Sequence, residues 1–313
     1  MTSGEPMAWV IFGAIVVVML ALDLGVFHRK AHVIGTREAA IWSAVWISVA
    51  LLFNLGIYLH SGSDRALEFF QAWLIEKALS VDNLFVFLVA FSFFAVPAHL
   101  QHRVLFWGIV GALITRGVFI AIGAALLANF HFVMYIFGAF LIFTAVRLMR
   151  GGDEEPHPEK NPVLRLFRRF VPITKEYAGQ HFFVRQNGKL FATPLLMVLV
   201  VIEATDVVFA VDSIPAVFGV TSDVFIVYTS NIFAVLGLRA LLFLVASVVR
   251  RLKYLRPALA LVLAFVGAKM LIADRFRIPN WASLVVVAGL IGGAAVISLI
   301  ASRNDPPAPP PSS

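Results

Sequence analysis

The chain has no cysteine among its 313 residues and only 14% charged residues, whereas 60% are hydrophobic. The lack of cysteine excludes disulfides, thiolate metal sites and cysteine nucleophiles. A soluble domain usually has about 25% charged and 45–50% apolar residues, so the shortage of charge argues against two soluble domains. The composition instead indicates a protein that crosses a membrane several times.

Signatures of common catalytic sites are also missing. The sequence has no phosphate-cradling glycine loop, no zinc signature and no Ser/His/Asp set at recognisable spacing. Its one sizeable polar segment, 150–190, is too short to form the nucleotide domain of an ATP-driven pump. The net charge of +7 is explained by basic loops that orient a membrane protein, so we do not infer nucleic-acid binding. We therefore predict that the protein is not an enzyme.

Apolar runs of spanning length, about 20 residues each, occur throughout the chain. The nine predicted spans are 7–27, 39–59, 71–95, 104–127, 130–149, 191–218, 223–248, 257–273 and 281–301. The first run is longer than a signal-peptide core and has no basic residue before it, so we expect it to stay uncleaved. The predicted fold class is an all-α polytopic membrane protein.

Lysine and arginine are distributed unevenly between the predicted loops. If the N-terminus is outside, the inner segments are 28–38, 96–103, 150–190, 249–256 and the C-terminal tail, and they hold seventeen of the 25 basic residues. The outer segments hold three, Arg65, Arg275 and Arg277. Because basic loops stay on the cytoplasmic side, we predict that the N-terminus is outside and the C-terminus is cytosolic.

Charged residues also lie within the predicted spans or at their ends. The six acidic ones are Asp23, Glu76, Asp82, Glu203, Asp206 and Asp212, and the five basic ones are Lys77, Arg116, Arg147, Arg239 and Lys269. Each such charge costs roughly 3 kcal/mol or more at the bilayer centre, which makes it a candidate for function. The plainer alternative is a salt-bridge network that only holds the helices together.

Two stretches of the chain, "ALSVDNLFVF" at 78–87 and "VFAVDSIPAV" at 208–217, are similar to each other. The similarity continues in weaker matches on both sides. The aligned pairs are Glu76 with Asp206, Asp82 with Asp212, Asn83 with Ser213, Arg116 with Arg239, and Arg147 with Lys269. The two copies lie on the third and the sixth predicted spans, three span starts apart, so they enter the membrane in opposite directions. This is the inverted-repeat plan of many transporters, whose binding site lies near the midplane.

The predicted organisation follows from the spans and the repeat. Its parts are two peripheral helices at 1–59, a first three-helix repeat at 60–150, a basic cytosolic loop at 151–190, a second three-helix repeat at 191–273, a last helix at 274–301 and a disordered Pro-rich tail at 302–313. Within the loop, apolar and basic residues at 162–173 fit either a helix on the inner leaflet or a plain linker. Protein partners could bind through segment 150–190.

The intramembrane acids and their polar neighbours predict a metal site. Candidate ligands are Glu76, Asp82, Asn83, Glu203, Asp206, Asp212 and Ser213, and candidate charge-balancing residues are Arg116, Arg239 and Lys269. Oxygen ligands suit Mg²⁺, Ca²⁺ or Mn²⁺, whereas zinc and copper prefer His or Cys. Neighbouring carboxylates repel unless a cation neutralises them or one is protonated, which predicts exchange of a divalent cation for protons.

Two polar or helix-breaking residues could add to this site. Pro215 is expected to remove a backbone hydrogen bond just beyond Asp212, loosen that turn and free carbonyls as ligands. Asn231 could be a further ligand or could simply bond one helix to another. No cofactor is expected beyond the transported cation itself.

Longer stretches resemble the TerC/Alx family of integral membrane proteins. They are "EKALSVDNLFVF", "IEATDVVFAVDSIPAVF" and "YTSNIFAVLGLRALLFLV", and the likeness runs from about residue 10 to 275. The family is named for tellurium resistance, and its Alx members resemble manganese exporters. The resemblance implies efflux of Mn²⁺ across a bacterial-type inner membrane. By matching motifs, it points to the candidate ligands named above.

Two alternatives remain at this stage. One is a membrane-embedded partner protein that assists metal delivery or stress-response machinery without transport of its own, in which segment 150–190 would matter more than the acids. The other is a membrane enzyme that uses the carboxylates for acid–base chemistry, although no nucleophile or cofactor motif accompanies them.

Overall fold

The computed structural model describes residues 6–27, 36–150, 171–174, 176–186, 188–245, 254–276 and 278–301. The helices are α1 (Pro6–Phe27), α2 (Thr36–Ser61), α3 (Ser63–Phe93), α4 (Ala98–Asn129), α5 (Phe132–Arg150), α6 (Pro194–Phe218), α7 (Val224–Leu236), α8 (Leu238–Val245), α9 (Leu255–Ile272) and α10 (Asn280–Ala301). The strands β1 (Phe183–Gln186) and β2 (Lys189–Ala192) form an antiparallel hairpin. Most of the segment proposed for an inner-leaflet helix, 162–173, and the tail 302–313 lie outside these residues.

Six of these helices are long and apolar enough to cross a membrane, namely α2, α4, α5, α6, α9 and α10. α1 and α7 contribute shorter apolar stretches. Large apolar side chains such as Val17, Leu52 and Phe143 are exposed on the outer faces of the bundle, as contact with lipid requires. The polytopic membrane fold is therefore confirmed, and the count of nine spans stays a prediction.

The helices of the two halves of the chain interleave. α3 packs against both α6 and α7, α4 packs against the same two helices, and α5 packs along α9. α2 covers α3 and α8, α1 touches α7, and α10 packs on α9 and α3. The result is a four-helix centre of α3, α4, α6 and α7 with the remaining helices around it.

The helix expected to loosen at Pro215 does not do so. α6 runs through Pro215 to Phe218, and the N–H of Gly219 donates to the Pro215 carbonyl at 3.0 Å. A proline near the end of a helix loses only its own N–H bond, so the last turn can still form. The loosened turn expected at Pro215 is therefore not seen, although Pro215 has no N–H to donate to the carbonyl of Val211 four residues earlier.

The break in the second half is at Gly237 instead, within the span predicted as 223–248. It separates α7 from α8. Lys77 of α3 reaches this point and donates to the Ala234 carbonyl at 3.1 Å. A Cβ atom at position 237 would lie 2.8 Å from Lys77 Nζ, so a larger residue there would require the end of that lysine to shift.

The hairpin and its flanking loop dock onto the turn between α3 and α4. The Tyr177 hydroxyl donates to the Phe94 carbonyl at 2.6 Å, and Arg103 lies over the Phe182 ring, 5.3 Å from its centroid. Burial raises the pKa of Tyr177, so its hydroxyl stays protonated and remains a donor. The loop is thereby fixed to the end of the bundle at which α3 stops.

Candidate ion-binding site

An arginine with 0% exposed surface, Arg116 of α4, lies at the centre of the bundle. Its Nε and Nη2 donate to the two carboxylate oxygens of Asp206 on α6, at 3.2 and 3.0 Å. Its Nη1 donates to Glu76 Oε1 on α3 and, at 3.1 Å, to Asn231 Oδ1 on α7. One side chain from each of the four central helices therefore meets here.

Small residues on α4 bring α6 close enough for these bonds. A Cβ atom at Gly108 would lie 3.3 Å from the Ile202 side chain, and one at Gly111 would overlap the carboxylate of Glu203. Without side chains at these two positions, the helices approach at backbone distance. The same approach places Glu203 against α4.

A cavity of about 90 Å³ lies beside the Arg116 centre. Its polar lining comes from Glu76, Asn83, Arg116, Thr144, Asp212 and Ser213. Leucine and phenylalanine side chains form the rest of the wall. Thr144 Oγ1 on α5 donates to Asp212 Oδ1 at 3.1 Å and so orients that carboxylate. Apolar walls keep the local dielectric low, which strengthens interactions between these groups and any charge in the cavity.

Two oxygen atoms of cavity-lining residues are buried without a hydrogen-bond partner in the part of the chain that the structure describes. They are Oε2 of Glu76 and Oγ of Ser213, in residues that are 1% and 2% exposed. A buried polar atom without a partner costs about 1–3 kcal/mol. Such atoms are usually explained by a water molecule or an ion that satisfies them.

The charges around the cavity do not cancel. When all are ionised, Glu76, Asp206 and Asp212 carry three negative charges and Arg116 carries one positive charge. The two negative charges that remain would be balanced by one divalent cation. Arg147, an exposed residue in the last turn of α5, also interacts with Asp212 but does not line the cavity.

The predicted ligands fall into four groups. Glu76, Asn83, Asp212 and Ser213 line the cavity, whereas Asp206 is bonded to Arg116. Glu203 faces α4 and does not line the cavity. Asp82 lies on α3, but its side chain is outside the described part of the structure.

The predicted charge-balancing residues also separate. Arg116 bonds two of the predicted acids directly. Lys269, in the last turn of α9, interacts with Glu68 near the end of the bundle where α3 begins. Arg239 belongs to α8, and its side chain is not among those described.

Thr144 and Gln71 were not singled out from the sequence. Thr144 is the single threonine of a strongly apolar helix, where threonine commonly bonds its own backbone, so the sequence gave no reason to select it. Gln71 is fully buried in α3. Its signal was available, because a buried amide needs hydrogen-bond partners that an apolar span does not supply.

Among the side chains that the structure describes, no three acidic or histidine groups are arranged as a metal centre. The cavity offers two carboxylates, an amide and a hydroxyl, and the third acid is held by Arg116. The geometry is therefore that of an oxygen-lined cavity with one arginine in its wall.

Comparison with known proteins gives close relatives along nearly the whole chain. The family model described as "Integral membrane protein TerC family" matches residues 61–306. The "Uncharacterized membrane protein STKORF319" of Myxococcus xanthus is 52% identical over 97% of this chain and 95% of its own length. The "Putative membrane-bound redox modulator Alx" of Escherichia coli (strain K12) is 46% identical over 93% of each chain. No solved structure matches the chain.

Proposed function

The chain belongs to the TerC family of integral membrane proteins, and we propose that it exports a hard divalent cation, best matched by Mn²⁺, from the cytosol. The cavity beside Arg116 carries this proposal. It combines two carboxylates, from Glu76 and Asp212, with the neutral oxygens of Asn83 and Ser213. Two buried oxygens there have no partner among the described residues, and the local excess of two negative charges matches the cargo.

The choice of cation rests on ligand chemistry and on the family. Carboxylate, amide and hydroxyl oxygens bind Mg²⁺, Ca²⁺ and Mn²⁺ in similar ways. The motifs shared with manganese-exporter-like proteins favour Mn²⁺ among the three. A cavity of about 90 Å³ has room for a cation and several waters, because one water needs about 10–15 Å³ of such space.

Proton exchange compensates for the charge that leaves. An inside-negative potential opposes outward movement of a cation by about 2.3 kcal/mol per charge per 100 mV. When the ion departs, Asp212 loses its counter-charge, and Glu76 keeps only Arg116, which it shares with Asp206. Taking up protons then removes the repulsion between Glu76 and Asp212. Arg116 holds the remaining acid, Asp206, in both conditions.

We further propose that α3–α5 and α6–α9 are inverted repeats that rock against each other. Helix contacts support this pairing. If α3, α4 and α5 correspond to α6, α7 and α9, the contact of α3 with α7 has its counterpart in the contact of α4 with α6. The α5–α9 pair would then lie across the symmetry axis, where Gly138 and Gly267 face each other. The excess of basic residues at 150–190 supports a cytosolic position for that segment.

Manganese flux in liposomes tests the transport proposal. Purified protein with an imposed pH gradient should move Mn²⁺, and Asp212→Asn should abolish the flux because the cavity loses one of its two carboxylates. Asp82→Asn is expected to do the same, since the repeat pairs it with Asp212. The matched control is Asp64→Asn, the same substitution at an exposed residue at the start of α3. Full flux in Asp212→Asn would overturn the proposal.

The printed name of the Escherichia coli relative favours a second candidate function, that of a membrane-bound redox modulator. This chain has no cysteine, so it could not act through thiol–disulfide exchange of its own. It would have to act through a bound metal or through a partner held by segment 150–190. In that case replacing basic residues of segment 150–190 by neutral ones would abolish the redox modulation, whereas Asp212→Asn would not. Liposomes containing the protein would show no Mn²⁺ flux.

A further inference from the structure

The end of the bundle at which α3 begins carries a second charged cluster, formed by Arg65, Glu68 and Asp223. Arg65 pairs with Asp223 and lies 3.9 Å from the Glu68 carboxylate. Glu68 also accepts hydrogen bonds from Thr221 Oγ1 at 2.7 Å and from Asn280 Nδ2 at 3.1 Å. The cluster therefore joins α3, the segment between α6 and α7, and the start of α10.

The contacts between α3 and α6 show what lies beneath this cluster. Glu76 and Asp206 share Arg116 at the centre, and Glu68 bonds Thr221, just beyond the end of α6. The two helices thus run in opposite directions past each other. Counted along the two helices, Gln71 of α3 and Ser213 of α6 both fall between these two levels, in a layer that runs from the cavity, which Ser213 lines, toward the cluster.

Both residues of this layer carry polar atoms without partners. Gln71 is 0% exposed, and neither its amide oxygen nor its amide nitrogen has a hydrogen-bond partner among the described residues. The same holds for Ser213 Oγ, which also lines the cavity. A scaffold residue in this layer would be expected to be apolar or bonded, because an unsatisfied buried amide is costly. Oxygen atoms without a hydrogen-bond partner could coordinate a cation that has lost part of its water shell as it moves through this layer.

We propose that the Arg65–Glu68–Asp223 cluster is a gate that closes one end of the ion path, with Gln71 and Ser213 forming the polar step directly beneath it. The inference rests on the proposed transport function and adds the route by which the cation leaves the cavity. In the predicted orientation, this is the extracytoplasmic end.

The exposure of the cluster fits a contact that opens and closes. The Arg65 side chain is 35% exposed and that of Glu68 is 17% exposed, so water can replace their bonds when the contact opens. Asp223 stays in place as the N-cap of α7, where its Oδ1 accepts from the N–H of Phe225 at 2.9 Å. Opening therefore moves α3 and its arginine away from a fixed carboxylate and also breaks the bonds of Glu68 to Thr221 and Asn280.

Thiol labelling tests the gate without relying on transport. Because the chain has no cysteine, Gln71→Cys introduces its only thiol. In liposomes, a membrane-impermeant thiol reagent should label this position slowly when the cluster is intact. With Arg65→Gln added, labelling from one side should be about tenfold faster, equivalent to about 1.4 kcal/mol in the gate equilibrium. Asp223→Asn, which keeps the cap and removes the charge, should act in the same direction if Arg65→Gln fails to fold.

The matched control is Arg275→Gln, the same substitution at an exposed arginine at this end of the bundle. It should leave the labelling rate unchanged. Equal labelling rates with and without Arg65 would overturn the gate and leave the cluster as a connection between helix ends. Absence of Mn²⁺ flux in the unmodified protein would overturn the proposed function instead, and that measurement is made separately.

Discussion

Two arginines in the molecule each contact two carboxylates and have an asparagine in the same cluster, but they differ in exposure. Arg116 is bonded to Glu76, Asp206 and Asn231, and Arg65 contacts Glu68 and Asp223, with Asn280 bonded to Glu68. The Arg116 side chain is 0% exposed and the Arg65 side chain is 35% exposed. The same chemical groups therefore make a desolvated centre in one place and a partly wetted contact in the other.

Burial decides what each arginine contributes. Removing one partner from a buried ion pair leaves charges that neither water nor protein satisfies, which typically costs about 3–5 kcal/mol. A surface ion pair is worth about 0–1 kcal/mol, because water replaces its bonds. The central arginine is thus a fixed part of the structure, whereas the peripheral one can be released at low cost, as a gate requires.

Replacing each arginine by glutamine should give the largest difference. Arg116→Gln leaves Glu76 and Asp206 buried without a counter-charge and should destabilise the protein by about 3–5 kcal/mol. Arg65→Gln should cost less than this, because Arg65 is 35% exposed, although its partner Asp223 is only 4% exposed. Thermal unfolding in detergent, followed by loss of helical signal, measures both. Equal losses would show that exposure does not separate the two clusters.

Binding of Mn²⁺ should stabilise the protein through the central cavity and not through the peripheral cluster. At one hundred times its dissociation constant, a ligand that binds only the folded state adds about 2.7 kcal/mol. The added stability should disappear in Asp212→Asn and persist in Asp223→Asn. Melting curves at increasing MnCl₂ concentrations provide the measurement. If the stabilisation by Mn²⁺ were lost in Asp223→Asn alone, the binding site would have to lie at the end of the bundle and not in the central cavity.

The smallest effect is expected at Asp223, where two roles can be separated. Asp223→Ala removes both the cap of α7 and the charge, and loss of a cap costs about 1 kcal/mol. Asp223→Asn keeps a capping oxygen and should cost only a few tenths of that. Comparing the unfolding curves of the two variants separates the capping contribution of Asp223 from that of its charge. If asparagine proved as damaging as alanine, the ion pair with Arg65 would be stronger than its exposure indicates.

The helices could be predicted from the sequence because length and apolar composition decide them. The start of α3 could not be predicted in this way. The apolar run indicated a start at residue 71, whereas the helix begins at Ser63. Its first turns contain Arg65 and Glu68, whose charges are satisfied by α10 and by the segment after α6. The break at Gly237 was missed for a similar reason, since it depends on a lysine that arrives from another helix.

The sequence predicted which residues belong to the candidate site better than it predicted how those residues are arranged. The cost of burying charge selected Glu76, Asp206, Asp212 and Arg116, and the repeat paired the first two. Helical spacing placed Glu203 next to Asp206, yet the packing of α4 against α6 turns Glu203 toward Gly111. The bond from Thr144 to Asp212 depends on how α5 meets α6, which no local pattern records.

The crossing of α5 and α9 restricts how these two helices can change during evolution. A methyl group on Gly138 would lie 2.9 Å from the Gly267 carbonyl oxygen, and one on Gly267 would lie 2.7 Å from the carbonyl oxygen of Gly138. Each glycine therefore limits what the other can become. These two positions are far apart in the sequence but constrain each other. A larger residue at one of them is tolerated only if the backbone of the other helix shifts.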